Sequence, residues 1–261
     1  MLKMHILERG KGTPVVLLHA FPIDSRLWDA QVAELSAKYR VLTPEYPGFG
    51  RSEIASSPWG VDDIADALHE QLAALDALPC ILGGCSIGGY VSLAFVRRHS
   101  GDLKGLMLID TRAEADAPAA KENRQKMIDL VREKGSEAVA DQMVPKLLAP
   151  GAPESRPDLV QKIHQMTDDV PPLAIEHALM ALRDRPDSTP ILPKIQMPVL
   201  IVVGESDQAT PPDLSKAMAK EIPGATLTII RGAGHLSPLE QPAQVNLAIS
   251  SFLGKVTSPP R

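Results

Sequence analysis

Short apolar runs recur along the chain, each bounded by glycine, proline or charge and each too short to be a helix. Val15 to Leu18 (VVLL), Val41 to Thr43 (VLT), Cys80 to Gly84 (CILGG), Gly105 to Asp110 (GLMLID), Val199 to Gly204 (VLIVVG) and Thr226 to Ile230 (TLTII) read as buried strands. MHIL near the start reads as one more strand, at an edge. Between the runs lie stretches of helical periodicity: Trp28 to Lys38, Val61 to Leu78, Tyr90 to Arg98, Pro212 to Glu221 and Pro242 to Leu253. Asp62 and Asp63 suit the first turn of the second, where the helix dipole favours negative charge. Strands alternating with helices predict an α/β fold: a mostly parallel sheet with helices on both faces.

The alternation stops between Arg112 and Pro190. Only helical stretches occur there (Lys121 to Lys134, Ser136 to Leu148, Pro157 to Asp168, Pro172 to Arg183), with proline-rich joints such as APGAPESRP. An all-helical insertion between two strands of a parallel sheet predicts a cap over the strand ends. The expected division is therefore residues 1–111 and 191–261 as the core and 112–190 as a helical cap, or lid.

Composition narrows the picture. At 261 residues the chain can bury a large core, with 44% hydrophobic and 23% charged residues. A formal net charge of −5 offers no basic face for nucleic acid. Two cysteines, Cys80 and Cys85, fit neither a disulfide framework nor zinc-ligand spacing, which points to a reducing cytoplasm. No signal peptide and no run of about 20 apolar residues is seen, so no membrane is expected. The C-terminal KVTSPPR reads as a frayed tail.

The candidate chemistry begins at ILGGCSIGGYVSLAF, Ile81 to Phe95. A strand, then Gly84-Cys85-Ser86-Ile87-Gly88, then a helix has the form G-x-S-x-G. A serine on a strained strand-to-helix turn needs near-zero side chains two positions to either side. The helix behind it aims backbone N–H groups at developing negative charge. No lysine follows the glycines, so a phosphate-cradling loop is excluded, and the same string is otherwise a small-residue packing turn. Cys85, one position before the apex, points into the sheet as a small hydrophobe.

A serine becomes nucleophilic only beside a base that a third group orients. Of seven histidines, His235 lies in the loop RGAGHLSPLEQP after the last strand, above the carboxyl edge of the sheet. His69 and His99 read as surface residues, His5, His164 and His177 as non-catalytic, and His19 as a buried hydrogen-bonding residue. For the acid, Asp207 lies just past a strand end in VLIVVGESDQATPP and is favoured over Asp110 and Glu205. The order Ser86, Asp207, His235 is that of one large class of hydrolases. His19-Ala20-Phe21-Pro22 turns at the same edge, where the N–H groups of Phe21 and Ile87 could hold a tetrahedral oxyanion.

In order, LLHAFPIDSRLW, PEYPGFGRS, GGCSIGGYVSLAF, GESDQATPP and GAGHLSPLEQP resemble the α/β-hydrolase superfamily over nearly the whole chain. Within it the chain is similar to small bacterial carboxylesterases and 3-oxoadipate enol-lactonases, with cofactor-free haloperoxidases and perhydrolases as a further look-alike. The resemblance implies Ser86 as nucleophile, His235 as base, Asp207 as orienting acid, Phe21 and Ile87 as oxyanion donors, and the helical insertion as a lid. It departs at Ala20, where the family has glycine, and at Glu45, where it has aspartate. Ala20 would be strained if the loop needed positive φ there, and Glu45 has a longer arm for any ion pair with Arg51.

The function expected is a serine hydrolase of carboxylic esters acting through an acyl-enzyme on a small-molecule ester or lactone. It needs no cofactor or metal and works as a monomer or homodimer. The alternatives are a lactonase, a perhydrolase and a non-catalytic ligand-binding protein. Met127, Met143, Leu147, Leu148, Met166, Leu173 and Met180 either line an acyl pocket or, as is commoner at helical spacing, pack the cap. A dianionic lactone would want cations, for which Arg112, Arg124 and Arg132 are the candidates, although solvated surface positions are the simpler expectation for them.

Overall fold

Seven strands form one sheet in the order β1-β3-β2-β4-β5-β6-β7 in a computed structural model that describes residues 2–258. They are β1 (His5–Arg9), β2 (Pro14–Leu18), β3 (Arg40–Glu45), β4 (Cys80–Cys85), β5 (Leu103–Ile109), β6 (Val199–Gly204) and β7 (Thr226–Ile230). Only β1, at the edge, runs antiparallel to its neighbour; every other pair is parallel.

The apolar runs are continuous because both faces of the sheet are covered, and the two-residue side-chain period divides them between two cores. Val16, Leu18, Leu82, Leu106 and Ile201 join one core with residues of α2 (Val61–Ala74) and α3 (Ile87–His99). Val15, Leu17, Ile81, Met107 and Val202 join the other with Leu35 of α1 (Asp29–Leu35) and with Ile249 and Leu253 near the C-terminus. Burying each such aliphatic side chain contributes about 1.5–3 kcal/mol.

Between β5 and β6 the described residues hold only helices: α4 (Pro118–Leu147), α5 (Ala152–Ser155), α6 (Pro157–Thr167), α7 (Pro172–Asp184) and a 3-10 stretch, Thr189–Lys194. Then come α8 (Pro212–Glu221), α9 (Ser237–Glu240) and α10 (Pro242–Thr257).

Several predicted bounds shift for local reasons. The helix expected over Val61 to Leu78 ends at Ala74, because Asp76 turns left-handed (φ 50°) and Ala77 N–H donates back to Leu72 O at 2.9 Å. That is a Schellman-type stop with aspartate in place of the usual glycine. The two helices expected either side of Gly135 form one kinked element, with the break at Gly135 (φ 81°). The helix expected over Trp28 to Lys38 is confined to α1 after a 3-10 turn, Ser25–Trp28, whose entry Asp24 caps by accepting from Arg26 N–H. Helix α10 continues through Lys255 to Thr257, so this part of the expected tail is ordered helix, while residues 259–261 lie outside the described ones.

Parallel pairing sets the carboxyl ends of the strands along one edge. Leu18 pairs with Gly84, Cys85 with Ile109, Ile109 with Val202 and Gly204 with Ile230. The loops that follow β2, β4, β5, β6 and β7 therefore open together, where ligands gather in such sheets.

Candidate active site

Ser86 sits directly after β4 with φ 56° and ψ −113°, a conformation that costs an L-residue about 1–3 kcal/mol. The flanking glycines are required by close approach rather than by handedness, since neither has positive φ. A Cβ on Gly84 would stand 2.1 Å from the Gly88 carbonyl group, and one on Gly88 would stand 2.5 Å from Leu18 O. The turn is pinned from the next strand. Thr111 Oγ1 donates to Ser86 O at 2.8 Å, and Ser86 N–H donates to Ile109 O at 3.0 Å.

The structure brings His235 and Asp207 to this serine. His235 Nε2 is 2.9 Å from Ser86 Oγ, and His235 Nδ1 is 2.9 Å from Asp207 Oδ2. Asp207 is held from three further sides. Ala209 N–H and Thr210 N–H each donate to Oδ1 at 2.8 Å, and Thr210 Oγ1 donates to Oδ2 at 2.7 Å. Burial pushes the Asp207 carboxyl up, but the His235 charge and hydrogen bond and the Thr210 donors outweigh it, leaving the group below its ordinary value. For His235, burial pulls the imidazole down. The Asp207 charge and hydrogen bond and the Asp110 charge more than reverse this, so protonation is easier than usual. Ser86 and His235 are 9% and 3% exposed, so the pair is largely shielded from water.

Asp110, the rival acid, stands close by but is occupied elsewhere. It is fully buried at φ 45°, its Oδ1 accepts from Gly204 N–H at 2.8 Å, and its Oδ2 accepts from Ser237 N–H at 3.0 Å and Ser237 Oγ at 2.6 Å. Burial, with the neighbouring Asp207 charge, pushes it up to about 8. Glu205 accepts from Gly232 N–H at 3.2 Å and does not bond His235.

Phe21 lies in the connection after β2 and Ile87 opens α3, both buried. Among the hydrogen bonds of the described residues, neither backbone N–H has a protein acceptor. Ala20 avoids positive φ. Glu45 meets Arg51 through the backbone N–H at 2.7 Å, and its other oxygen accepts from Ser25 Oγ at 2.6 Å. The longer arm thus bonds the turn's backbone rather than a guanidinium. His19 is buried between Ala20 O (3.0 Å from Nδ1) and Tyr46 N–H (3.2 Å from Nε2), a fixed structural pairing. His69 and His99 stack on each other at 4.0 Å and pair with Asp102 and Asp66. Cys85 is buried in the core with its thiol pushed well up by burial.

Sequence reasoning missed Ser237, Thr210 and Glu240. Glu240 Oε1 accepts from Gly234 N–H at 2.7 Å and Oε2 from Ala149 N–H at 2.8 Å. Leu147 O, at the end of α4, accepts from both His235 N–H (3.0 Å) and Leu236 N–H (3.1 Å). The histidine loop is thus tied to the helical segment, a long-range contact with no local signal in LSPLEQP. Among the described residues no cluster of three or more His, Cys, Asp or Glu is placed to hold a metal ion. No helix there is long and apolar enough to cross a membrane.

Comparison with known proteins agrees with the fold. The family model described as alpha/beta hydrolase fold matches residues 13–242. A solved thermophilic esterase from Thermogutta terrifontis, described with malate bound, superposes with a TM-score of 0.95 at 39% identity, covering 98% of this chain and 95% of that one. A pimeloyl-[acyl-carrier protein] methyl ester esterase of Aeromonas hydrophila is 26% identical over 257 residues, 94% of this chain and 97% of its own. The 3-oxoadipate enol-lactonase 2 of Acinetobacter baylyi is 25% identical over 227 residues, 87% and 83% of the two chains.

Proposed function

The chain belongs to the alpha/beta hydrolase fold family and is an ester hydrolase, and we propose that it works through an acyl-enzyme formed on Ser86. The observation that carries this reading is the unbroken line from Ser86 Oγ through the His235 ring to Asp207, each contact 2.9 Å. His235 Nε2 takes the serine proton as Oγ attacks the ester carbonyl, and Asp207 holds the Nδ1–H tautomer and stabilises the imidazolium. The free N–H groups of Phe21 and Ile87 bind the oxygen as it turns negative; losing one such donor costs about 10²–10³ in turnover. His235 then protonates the departing alcohol, and a water activated by the same imidazole releases the acid.

In this reading residues 112–190 form the lid, and the tie from Leu147 and Glu240 keeps the His235 loop in register with it. A lactone is a cyclic ester and follows the same steps, with the alcohol remaining attached to the product.

A fluorophosphonate probe tests the reading directly. Wild-type protein should be labelled and should cleave p-nitrophenyl acetate and butyrate, whereas Ser86→Ala should do neither. Folded wild-type protein that neither labels nor turns over short esters overturns it.

A further inference from the structure

The loop that carries His235 is held by its backbone, from two opposite sides. On one side Ser206 N–H donates to Ala233 O at 2.9 Å, which ties the loop to the turn after β6. On the other side three successive N–H groups are taken. Gly234 N–H donates to Glu240 Oε1 at 2.7 Å, and the N–H groups of His235 and Leu236 donate to Leu147 O at 3.0 and 3.1 Å. Leu147 closes α4, and the last carbonyls of a helix have no partner within it, so this oxygen is free to accept from the loop. The imidazole therefore hangs from a backbone with one support in the sheet and the other at the end of α4.

Glu240 fixes where that helix end lies. It is 5% exposed, and while Oε1 faces Gly234, Oε2 takes Ala149 N–H at 2.8 Å, just past α4. Its own N–H donates to Leu236 O at 3.0 Å, so the acid is anchored to the loop it serves. No space separates the two chains at this point. A Cβ on Gly234 would stand 2.5 Å from both Ala149 N and Leu148 C. Around the junction Leu147, Leu148, Leu236 and Leu239 are buried in one core.

The junction calls for a carboxylate. Both of its oxygens accept, and here both face N–H donors. Glutamine has the same shape but a single acceptor oxygen, and its NH2 would meet an N–H head-on.

We propose that Glu240 is a positioning residue for the reaction, and that the end of α4 must be docked on it for His235 to serve Ser86. The helical segment between β5 and β6 then supports the base as well as covering the site, and undocking its α4 end leaves the base misaligned. Alignment matters on this scale, because a shift of about 1 Å at a catalytic group costs about 10² in rate. The proposal rests on the acyl-enzyme reading and deepens it: Glu240 acts through the backbone and not on the reacting atoms.

Two variants and one measurement on the wild type test it. Glu240→Gln removes one acceptor from the junction. Gly234→Ala, tolerable locally because Gly234 has no positive φ, wedges the Leu148–Ala149 backbone away from the loop. Reactive serines are counted by fluorophosphonate labelling run to completion, and kcat and KM for p-nitrophenyl butyrate are expressed per labelled serine. Both variants should lose about tenfold or more in kcat, with KM within about threefold of wild type. A Glu240 that only stabilises the fold gives a different result: a lower unfolding temperature and fewer labelled serines, with kcat per labelled serine unchanged. That result overturns the proposal. In the wild type, amide hydrogen exchange should show Ala149, Gly234, His235 and Leu236 opening as one unit. Amides of His235 and Leu236 that stay protected while Ala149 exchanges overturn it too, whether or not the variants fold. Wild-type protein that neither labels nor cleaves the ester fails at the acyl-enzyme reading instead.

Discussion

Replacing Asp207 by asparagine should harm catalysis more than deleting the side chain, because of the hydrogen bonds already in place. Oδ1 is fixed by two backbone donors, Ala209 N–H and Thr210 N–H, at 2.8 Å. The amide oxygen of the introduced asparagine must take that position, which turns its NH2 toward His235 Nδ1. An NH2 there can only donate, so Nδ1 becomes the acceptor and the ring proton moves to Nε2, facing Ser86. The imidazole then cannot take the serine proton. Flipping the amide would leave both backbone donors unpaired, at about 1–3 kcal/mol each. The working orientation is therefore scarcer by about 30-fold to 10⁴-fold, and asparagine in this position of other triads costs about 10⁴ in kcat. Asp207→Ala imposes no tautomer, because Thr210 Oγ1, 3.3 Å from Nδ1, can still accept its proton. Steady-state kcat for p-nitrophenyl butyrate, with thermal unfolding as the control on folding, measures both variants. The reasoning fails if Asp207→Asn keeps kcat within about threefold of wild type, or clearly exceeds Asp207→Ala.

Two pH predictions follow from the same cluster. His235 is raised above its ordinary 6.5, and it must be neutral to act as a base, so the acid limb of kcat/KM for a neutral ester should have its midpoint above pH 6.5; a midpoint below that value contradicts the assignment. Asp110 is raised to about 8 in the folded chain against about 3.9 unfolded, so its contribution to stability is complete below about pH 4 and is lost as pH rises through about 8. The slope is at most about 1.4 kcal/mol per pH unit. Asp110→Asn should therefore lose less stability than wild type between pH 5 and pH 8 in urea titrations, and equal losses would refute it.

The residues legible in the sequence are those whose local surroundings force their role. Gly84 and Gly88 announce a turn where backbones touch, and the apolar runs announce strands covered on both faces. Asp207 and His235 could be chosen because each follows a strand end, and parallel pairing sends all such ends to one edge. What stayed hidden depends on chain reversal or on distant partners. Asp76 ends α2 through a left-handed turn that glycine usually provides. Gly135 joins two helical stretches that periodicity alone separates. Arg112, Asp116, Arg124 and Arg185 converge only after α4 and α7 have packed, so along the chain Arg112 and Arg124 read as ordinary solvated charges and Arg185 carries no signal.

The two aspartates at this edge explain why one carboxylate, rather than a pair, serves the histidine. Both are buried, and burial alone would raise both. They are separated by what each hydrogen bond faces. The donors on Asp207 include the imidazole itself, so its charge is stabilised where positive charge develops, and it falls below its ordinary value. The donors on Asp110 are Gly204, Ser237 and the Cys85 thiol, neutral groups that, even with the His235 charge, do not offset desolvation and the repulsion from Asp207. Two like charges in one buried pocket push each other's ionisation apart, so the carboxylate with the cationic partner keeps the negative charge. Asp110 then acts as a brace: it fixes Ser237, two residues past His235, to the start of the β6 loop that carries Asp207. Asp207 and His235 are thereby held to one frame through Asp110 as well as through their own 2.9 Å contact.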